Sequence, residues 1–423
     1  MNKTHLMMAA LLVTSFSLGA CSKKNDAGST PDKTEKTPEK TPEATPPKEA
    51  PTEFNPQRDA EVTAGLKSVV DNCDTKFTWG RKCKAEEQKK FGELLRKKRL
   101  DALDTLIAVS LDTKQDAKIR QLAAYSLDYY MTSPLNDVKK GKYKITEATA
   151  DALIKGVQTE APTRENGIAR YFIKSAVHTN NLLKRYDKVK ALIDGVDAKK
   201  GSDYQTIKSK GIANVMTYGR MAQFDLVKKY ADSDNSRMQR AAFRAPRNMY
   251  KHTDDEDQKI CPWAEKYLSK DDKATDAGPA RILLRCKDRA KYSVMLVEEA
   301  KKRGKAGTFG RPFVFAFREL CSRGFFGMGT KTDDATCARV RKLLLVAANS
   351  KKLDDSNRAL ALGSIAYQWR NEESLKLMKK YLKHPNEKLA KTAKREIEML
   401  TKSIKRRKEF EKKKKAMKSK IKN

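Results

Sequence analysis

Apolar residues recur along most of this chain at the spacing of an α-helix. One face of the stretch DAKIRQLAAYSLDYY carries positions i, i+3, i+4, i+7 and i+8, which are Ile119, Leu122, Ala123, Ser126 and Leu127. Helical spacing places such positions on one side of a helix. Two further faces near the C-terminus are formed by Leu375, Met378 and Leu382, and by Leu389, Ala393, Ile397 and Leu400. Strand-like alternation is hard to find, so the pattern predicts an all-α body over residues 57–400.

Polar residues that favour helix starts precede several of these stretches. Asp354 and Asp355 lead into SNRALALGS, and Ser202 with Asp203 opens another apolar stretch. Thr332 stands before Asp333 and Asp334 in the same way. Such side chains cap a helix N-terminus or place negative charge in its first turn. These signals predict many short helices rather than a few long ones.

Some of the predicted helices are alike and evenly spaced. Ala123, Ala241 and Ala359 occupy equivalent places in RQLAAYSL, MQRAAFRA and NRALALGS, and each is 118 residues from the next. That distance is three units of about 39 residues, and a period near 40 built of two helices is typical of HEAT and armadillo repeats. The stretch YLKHPNEKLAKTAKREIEML resembles one such repeat. Residues 100–400 are thus similar to a HEAT-like α-solenoid of stacked helix pairs, with a single non-repetitive helical domain as the alternative.

The first 20 residues have the order of a secretory signal peptide. Lys3 is followed by the uncharged stretch 6–18, which is shorter than the about 20 residues that a membrane-spanning helix needs. The sequence Leu18-Gly19-Ala20-Cys21 resembles the lipobox of bacterial lipoproteins. The resemblance implies cleavage between Ala20 and Cys21 and acylation of Cys21, which would anchor the mature chain in a lipid bilayer. An ordinary secreted protein and a retained membrane helix are the alternatives.

In this family, the residue after the lipobox cysteine determines the membrane to which the lipoprotein is delivered. Ser22 implies the outer membrane, because aspartate at that position is the usual inner-membrane retention signal. The protein is therefore expected to be lipid-anchored and to face the periplasm or the cell surface. Stable anchoring takes more than one acyl chain or membrane signal.

Residues 21–56 form a different kind of segment. Seven of the fourteen prolines of the chain lie here, and no large apolar residue precedes Phe54. Such a composition does not support a packed core. The segment is predicted to be a disordered linker, which could extend up to about 100 Å if it were polyproline II throughout. A Pro-rich recognition motif is the alternative.

The seven cysteines divide into one for lipid and six for disulfides. Outside the cytosol, disulfides form and persist. Six cysteines allow fifteen connectivities, and the sequence does not choose among them. We favour sequential pairing, because each pair could then link one helix hairpin: Cys73–Cys83, Cys261–Cys286 and Cys321–Cys337. No two cysteines have zinc-ligand spacing, and His178, His252 and His384 lie far apart, so no metal is expected.

No catalytic motif is present. The sequence has no G-x-S-x-G, H-E-x-x-H or Walker loop, and the glycines of residues 304–310 indicate an inter-helix loop. The acidic residues 254–257 favour a helix start over a cation site. No cofactor is expected, and an enzyme is the least favoured class.

Six of the fourteen phenylalanines lie in residues 309–329. Packing between helices explains such a cluster, and so does a groove that takes a peptide or helix of a partner. The candidate groove residues are Phe313, Phe317, Phe325 and Phe326.

Charge adds a second candidate surface. The chain carries +36, and residues 402–423 alone hold twelve Lys or Arg and two Glu. The predicted tail, residues 401–423, is expected to be disordered or fraying and attracted to an anionic surface. No aromatic ladder accompanies it, so specific nucleic-acid binding is not expected. The tail cations singled out are Lys405, Arg406, Arg407, Lys412, Lys413, Lys414 and Lys415.

Together these features predict a membrane-anchored, non-enzymatic scaffold that binds an unidentified envelope protein. The alternative is an electrostatic binder of an anionic envelope polymer, such as peptidoglycan, lipopolysaccharide or extracellular nucleic acid, through the tail. In this alternative the tail supplies the affinity for the polymer, whereas a tail that only keeps the protein soluble would supply none.

Overall fold

A computed structural model describes most of the chain beyond the linker. The chain divides into two compact units, Met1–Pro46 and Pro47–Asn423, and every described residue belongs to the second. The predicted signal peptide, Cys21, the linker, Cys73, Cys83, Phe325 and Phe326 lie outside the described residues. The structure describes residues 59–72, 85–130, 132–140, 144–160, 167–249, 251–268, 278–306, 311–321 and 333–422.

All regular elements within these ranges are helices, which confirms the all-α prediction. Three short 3-10 turns also occur, at Arg99–Ala102, Ala198–Lys200 and Arg220–Gln223. In chain order, the α-helices are α1 Ala60–Asp71, α2 Ala85–Lys98, α3 Leu103–Leu111, α4 Ala117–Tyr130, α5 Thr132–Lys139, α6 Glu147–Thr159, α7 Ile168–Leu182, α8 Tyr186–Gly195, α9 Ser202–Gly219, α10 Phe224–Ala231, α11 Ser236–Asn248, α12 Asp254–Leu268, α13 Gly278–Leu283, α14 Arg289–Ala306, α15 Arg311–Leu320, α16 Asp334–Asn349, α17 Asp355–Gln368, α18 Glu372–Lys380 and α19 Glu387–Lys422.

Polar side chains fix where several helices begin. Asp354 accepts hydrogen bonds from the backbone N–H groups of Ser356 and Asn357 and caps α17. Asp333 caps α16 in the same way, through Thr336. The third predicted start differs, because Gly201 precedes α9 and Ser202 is its first residue. Gly201 has φ +130°, a conformation that residues with a side chain rarely adopt.

Alternate helices pack against one another along the chain. We call α4, α7, α9, α11, α13, α15, α17 and α19 the first helix series, because each of these helices contacts the next one in this order. The intervening helices pack against it: α6 on α7, α10 on α11, α12 on α13, α16 on α17 and α18 on α19.

Small residues bring some of these helices close together. In α6, a Cβ added at Gly156 would lie 2.0 Å from Cδ2 of Phe172 in α7. At the start of α13, a Cβ added at Gly278 would lie 2.3 Å from Cβ of Phe243 in α11. Both glycines are therefore required by close approach of a large aromatic side chain.

The last helix does not end where the sequence placed the domain boundary. α19 begins at Glu387 and continues through residue 400 to Lys422. The segment that was expected to be disordered or fraying is helical, since lysine, arginine and glutamate are good helix formers. Among the described helices, none combines the length and the apolar character that crossing a bilayer requires.

Candidate anion-binding site

Five arginines come together where α11, α13 and the start of α14 meet. The charge of Arg244 acts on Arg247. The carboxylate of Glu319 in α15 acts electrostatically on the guanidinium groups of Arg247, Arg285 and Arg289. Arg281 forms an ion pair with the same carboxylate. We call these five residues the arginine cluster: Arg244, Arg247, Arg281, Arg285 and Arg289.

Backbone carbonyl groups hold two members of the cluster in place. The guanidinium of Arg285 donates to the carbonyl of Arg247 and, at 3.4 Å, to that of Met249. Nη2 of Arg289 donates to the carbonyl of Leu320 at the end of α15, at 3.2 Å. The bonds from Arg285 connect the residues after α13 with α11, and the bond from Arg289 connects the start of α14 with α15.

Several nitrogen atoms of the cluster lack a hydrogen-bond partner. The Nε atoms of Arg247, Arg281 and Arg289 are buried, and the part of the chain that the structure describes supplies no acceptor for them. A buried donor without an acceptor costs about 1–3 kcal/mol, and more for a charged group. The cluster therefore holds donors that an added acceptor could satisfy.

The cluster is also electrostatically unfavourable as it stands. Burial, together with the nearby positive charge of Arg281, lowers the pKa of Arg247 to about 10. Burial lowers the pKa of Arg285 and of Arg289 as well, while Glu319 opposes both shifts. All of these groups remain charged at neutral pH, so the cluster keeps an excess of positive charge.

Two disulfides border the cluster. Cys286 directly follows Arg285 and is bonded to Cys261 in α12, with a Cα–Cα distance of 6.2 Å. Cys321 directly follows Leu320 and is bonded to Cys337 in α16, with a Cα–Cα distance of 5.7 Å. Both are pairs that sequential pairing predicts, and both fix a segment that carries or contacts a cluster arginine.

A carboxylate lies beside the first disulfide. Oδ1 of Asp257 is 3.5 Å from Sγ of Cys261 and 2.9 Å from Nδ1 of His252, and Oδ2 accepts a hydrogen bond from the backbone of Lys287. Potential ligand atoms of Asp257, Cys261 and Cys286 lie within 4.8 Å of one another. Both sulfur atoms are used in the disulfide, so they are not thiolate ligands in this state.

A second polar cluster lies between α4, α7 and α9. Nζ of Lys210 is 2.7 Å from Oδ2 of Asp128, and Nζ of Lys174 is 3.3 Å from Oδ1 of the same residue. The ring of His178 packs edge-on against Tyr218, with centroids 4.9 Å apart. Burial lowers the pKa of His178 to about 3, so its ring is neutral at pH 7. The ion pairs to Asp128 connect α4 with α7 and α9, and the ring contact connects α7 with α9, so these groups have a structural role.

The phenylalanines of the predicted groove are only partly described. Phe313 and Phe317 lie in the interior, where Phe317 is 0% exposed and the guanidinium of Arg303 lies 5.2 Å from the ring centroid of Phe313. Phe325 and Phe326 are outside the described residues. The two described rings contribute to packing between helices rather than to an exposed surface.

The tail cations singled out from the sequence lie along α19. Lys405, Arg406, Arg407 and Lys412 are exposed, and the side chains from Lys413 onward lie outside the described ones. Some neighbouring charges of α19 are paired, since Arg407 contacts Glu411 and Lys408 contacts Glu372 of α18. The tail therefore offers a row of exposed cations that are not brought to one point.

The sequence contains a signal for the arginine cluster that our reading of it missed. Arg240, Arg244 and Arg247 stand at positions i, i+4 and i+7, which is one face of α11. Their meeting with residues 281–289 depends on how α11 packs against α13, and spacing along the chain does not reveal that contact.

The chain is similar to a crystal structure of an engineered protein from the Northeast Structural Genomics Consortium. The TM-score is 0.29 and the identity 13%, over 81% of this chain and 99% of that chain. No family model matches the chain, and no curated protein matches its sequence. The chemistry of any ligand is therefore inferred from this chain's own residues.

Proposed function

We propose that this protein is a lipid-anchored, non-enzymatic binding scaffold of the cell envelope. Acylated Cys21 would hold it in the outer membrane, and residues 22–56 would act as a tether. The helical body would be a HEAT-like solenoid that binds another envelope protein. The proposal combines the lipobox-like sequence with the packing of the described helices.

Regular contacts between successive helices support the solenoid. Nζ of Lys210 donates to the carbonyl of Arg170, 40 residues away, at 2.9 Å. The side chain of Asn248 donates to the carbonyl of Ala213, 35 residues away, at 2.6 Å. The contact from Arg285 to Arg247 spans 38 residues. These three contacts join successive members of the first helix series, or residues next to them, at separations of 35–40 residues. Contacts between successive units at similar separations are typical of repeat proteins.

The evenly spaced alanines support the same arrangement. Ala123, Ala241 and Ala359 lie in α4, α11 and α17, which all belong to the first helix series, and all three are buried. Their small side chains allow close packing at equivalent places. The spacing of 118 residues is therefore consistent with three structural units between successive members of the set.

The observation that carries the binding function is the chemistry of the first helix series. It holds Arg244, Arg247 and Arg281 of the arginine cluster. It also holds two exposed aromatic residues, Tyr129 at 60% and Tyr367 at 40% exposure. The ring centroid of Tyr367 lies 3.9 Å from the guanidinium carbon of Arg318 and 4.9 Å from that of Arg370. Arginine and tyrosine are enriched in the centres of protein interfaces. We infer a partner protein with an acidic contact surface.

A second candidate function rests on α19. Its exposed cations favour an anionic envelope polymer, because each Lys or Arg near an anionic surface contributes about 1 kcal/mol. Such attraction falls off within a Debye length and weakens with salt. A polymer binder and a protein scaffold therefore differ in their response to salt and to removal of the tail.

Capture from solubilised membranes tests both functions. Full-length protein and a variant lacking residues 402–423 would be purified with their partners at low salt and at a few hundred millimolar salt. Discrete partners that survive both changes support the scaffold, whereas uniform loss in both supports the polymer binder. Turnover of an envelope substrate by the purified protein would contradict both. Cys21→Ala tests the anchor, which is refuted if membrane attachment is unchanged.

A further inference from the structure

We propose that the arginine cluster is a binding site for an oxyanion with two negative charges, namely phosphate or a phosphate monoester. The proposal goes beyond partner binding by the scaffold, because it assigns a specific ligand chemistry to a defined set of side chains. It requires neither the membrane anchor nor a protein partner.

The first support is the balance of charge. Four of the guanidinium groups, those of Arg247, Arg281, Arg285 and Arg289, share the carboxylate of Glu319, so these five groups carry a formal net charge of +3. A dianion would remove two of these three charges in the volume of one small ligand. A single further carboxylate would remove only one. The charge therefore favours phosphate over one acidic side chain.

The second support is the arrangement of donors. The cluster arginines come from three places in the chain: α11, the α13 region and the first residue of α14. The buried Nε atoms of Arg247, Arg281 and Arg289 have no acceptor among the described residues. Guanidinium groups match phosphate oxygens in bidentate geometry. A tetrahedral oxyanion offers acceptors in several directions, whereas a carboxylate offers them in one plane.

The third support is that the surroundings are held before any ligand arrives. Arg285 and Arg289 bind backbone carbonyls of neighbouring elements. The disulfides Cys261–Cys286 and Cys321–Cys337 fix the segments next to them. A site that is already ordered loses little conformational entropy on binding.

Arg247 is the member whose replacement is most informative. Its Nε is buried without an acceptor among the described residues, and burial together with Arg281 lowers its pKa although Glu319 opposes the shift. Replacing it with glutamine should therefore raise the melting temperature of the ligand-free protein while weakening phosphate binding. A residue with a purely structural role would not show this opposite pair of effects.

Two sources of phosphate fit this chemistry. The first is the headgroup of a membrane lipid, which a tethered protein can reach, and the second is a soluble phosphate monoester. Vesicles of phosphatidylcholine with and without phosphatidic acid distinguish them. If vesicles that contain phosphatidic acid compete with inorganic phosphate for the protein, and vesicles of phosphatidylcholine without it do not, the source is a membrane lipid. If neither kind of vesicle competes, the source is a soluble phosphate monoester.

The test uses purified full-length protein with its disulfides intact. Thermal melts and calorimetric titrations would be run with inorganic phosphate and with chloride at matched ionic strength. We expect phosphate to raise the melting temperature more than chloride does, because a ligand that binds only the folded state stabilises it. Equal effects of phosphate and chloride would overturn the proposal.

Variants identify the site. Arg247→Gln should weaken phosphate affinity by about tenfold or more, since a hydrogen bond to a charged group contributes about 1.5–3 kcal/mol. Glu319→Gln should strengthen it, because it removes the opposing carboxylate, and should lower the melting temperature of the ligand-free protein. Arg406→Gln, at an exposed arginine of α19, is the control and should change neither quantity.

The outcomes separate this proposal from the scaffold. If Arg247→Gln and Arg406→Gln lose the same affinity, binding is diffuse attraction to a basic protein and the site is refuted. Neither result depends on a partner protein. Failure of phosphate binding would therefore leave membrane capture of a partner unaffected, and failure to capture a partner would leave the phosphate site unaffected.

Discussion

At the scale of single residues, the space beside each glycine decides what a methyl group would do there. A Cβ added at Gly156 would lie 2.0 Å from Cδ2 of Phe172, whereas a Cβ added at Gly195, at the end of α8, would have nothing within 4 Å. We expect Gly156→Ala to lower the free energy of unfolding by about 1–3 kcal/mol through overpacking. Gly195→Ala should be neutral or stabilising by up to about 1 kcal/mol. Urea denaturation measures both, and equal losses would contradict the close packing of α6 on α7.

His178 gives the fold a dependence on pH. Its pKa is lowered to about 3 in the folded protein, from 6.5, because the ring is buried beside Lys174. The unfolded chain therefore takes up a proton as the pH falls below 6.5 while the folded protein does not. The stability that this residue contributes is complete above pH 6.5 and decreases as the pH falls towards 3, by about 1.4 kcal/mol per pH unit.

Chemical denaturation between pH 6.5 and 4.5 tests this effect. His178→Gln should show a smaller loss of stability across that interval than the unmodified protein does. Ser175→Ala is the control, because Ser175 is buried in the same helix and does not titrate. It should shift stability by the same amount at every pH, and an equal pH dependence in all three proteins would contradict the burial of His178.

At the scale of elements, two tyrosines make the same contact one step apart along the chain. The hydroxyl of Tyr230 donates to Asp194, 36 residues before it, and that of Tyr267 donates to Asp232, 35 residues before it. Burial and the hydrogen bond to Asp232 raise the pKa of Tyr267 to about 12. A hydrogen bond to a carboxylate contributes about 1.5–3 kcal/mol.

We expect Tyr230→Phe and Tyr267→Phe to destabilise the protein by similar amounts, because the two contacts occupy equivalent places in the proposed repeats. Tyr204→Phe is the control, since its ring keeps the contact with Lys200, whose Nζ lies 5.9 Å from the ring centroid. Thermal denaturation at neutral pH provides the measurement. A large loss in one variant and none in the other would argue against equivalent places.

The disulfides connect elements to the arginine cluster. Reduction should weaken phosphate binding, because the residues next to Arg285 and Leu320 are then no longer fixed by covalent bonds. The expected result is a smaller rise in melting temperature with phosphate after reduction, while circular dichroism shows an unchanged helix content. An unchanged phosphate shift in the fully reduced protein would show that the disulfides do not position the cluster.

Helix starts and helix content could be predicted from the sequence, because capping and apolar spacing act over a few residues. Asp333 and Asp354 are caps as their positions indicated. The end of the last helix could not be predicted. In a Lys-rich segment, helix propensity favours the helix and repulsion between like charges opposes it, and the two differ by little. The arginine face of α11 could be predicted from spacing, but its meeting with residues 281–289 could not, because that meeting depends on contact between α11 and α13.

At the scale of the whole molecule, sequence and structure inform different parts of the account. The anchor and tether are inferred from residues 1–56, which lie outside the described residues, so they stay predictions. The all-α body is observed, and its proposed stacking rests on neighbour contacts at separations of 35–40 residues. The groove was predicted from the number of phenylalanines in residues 309–329. That number does not tell which rings lie in the interior, as Phe317 does.

The claim that the first helix series binds a partner can be tested by photo-cross-linking in cells. A photoreactive residue would replace Tyr129 in α4 or Tyr367 in α17, which are 60% and 40% exposed, or Val346 in α16, which is 56% exposed and outside that series. The account predicts the same discrete protein adduct from the first two positions and none from Val346. Absence of an adduct from both tyrosine positions, or an equal yield from Val346, would contradict it.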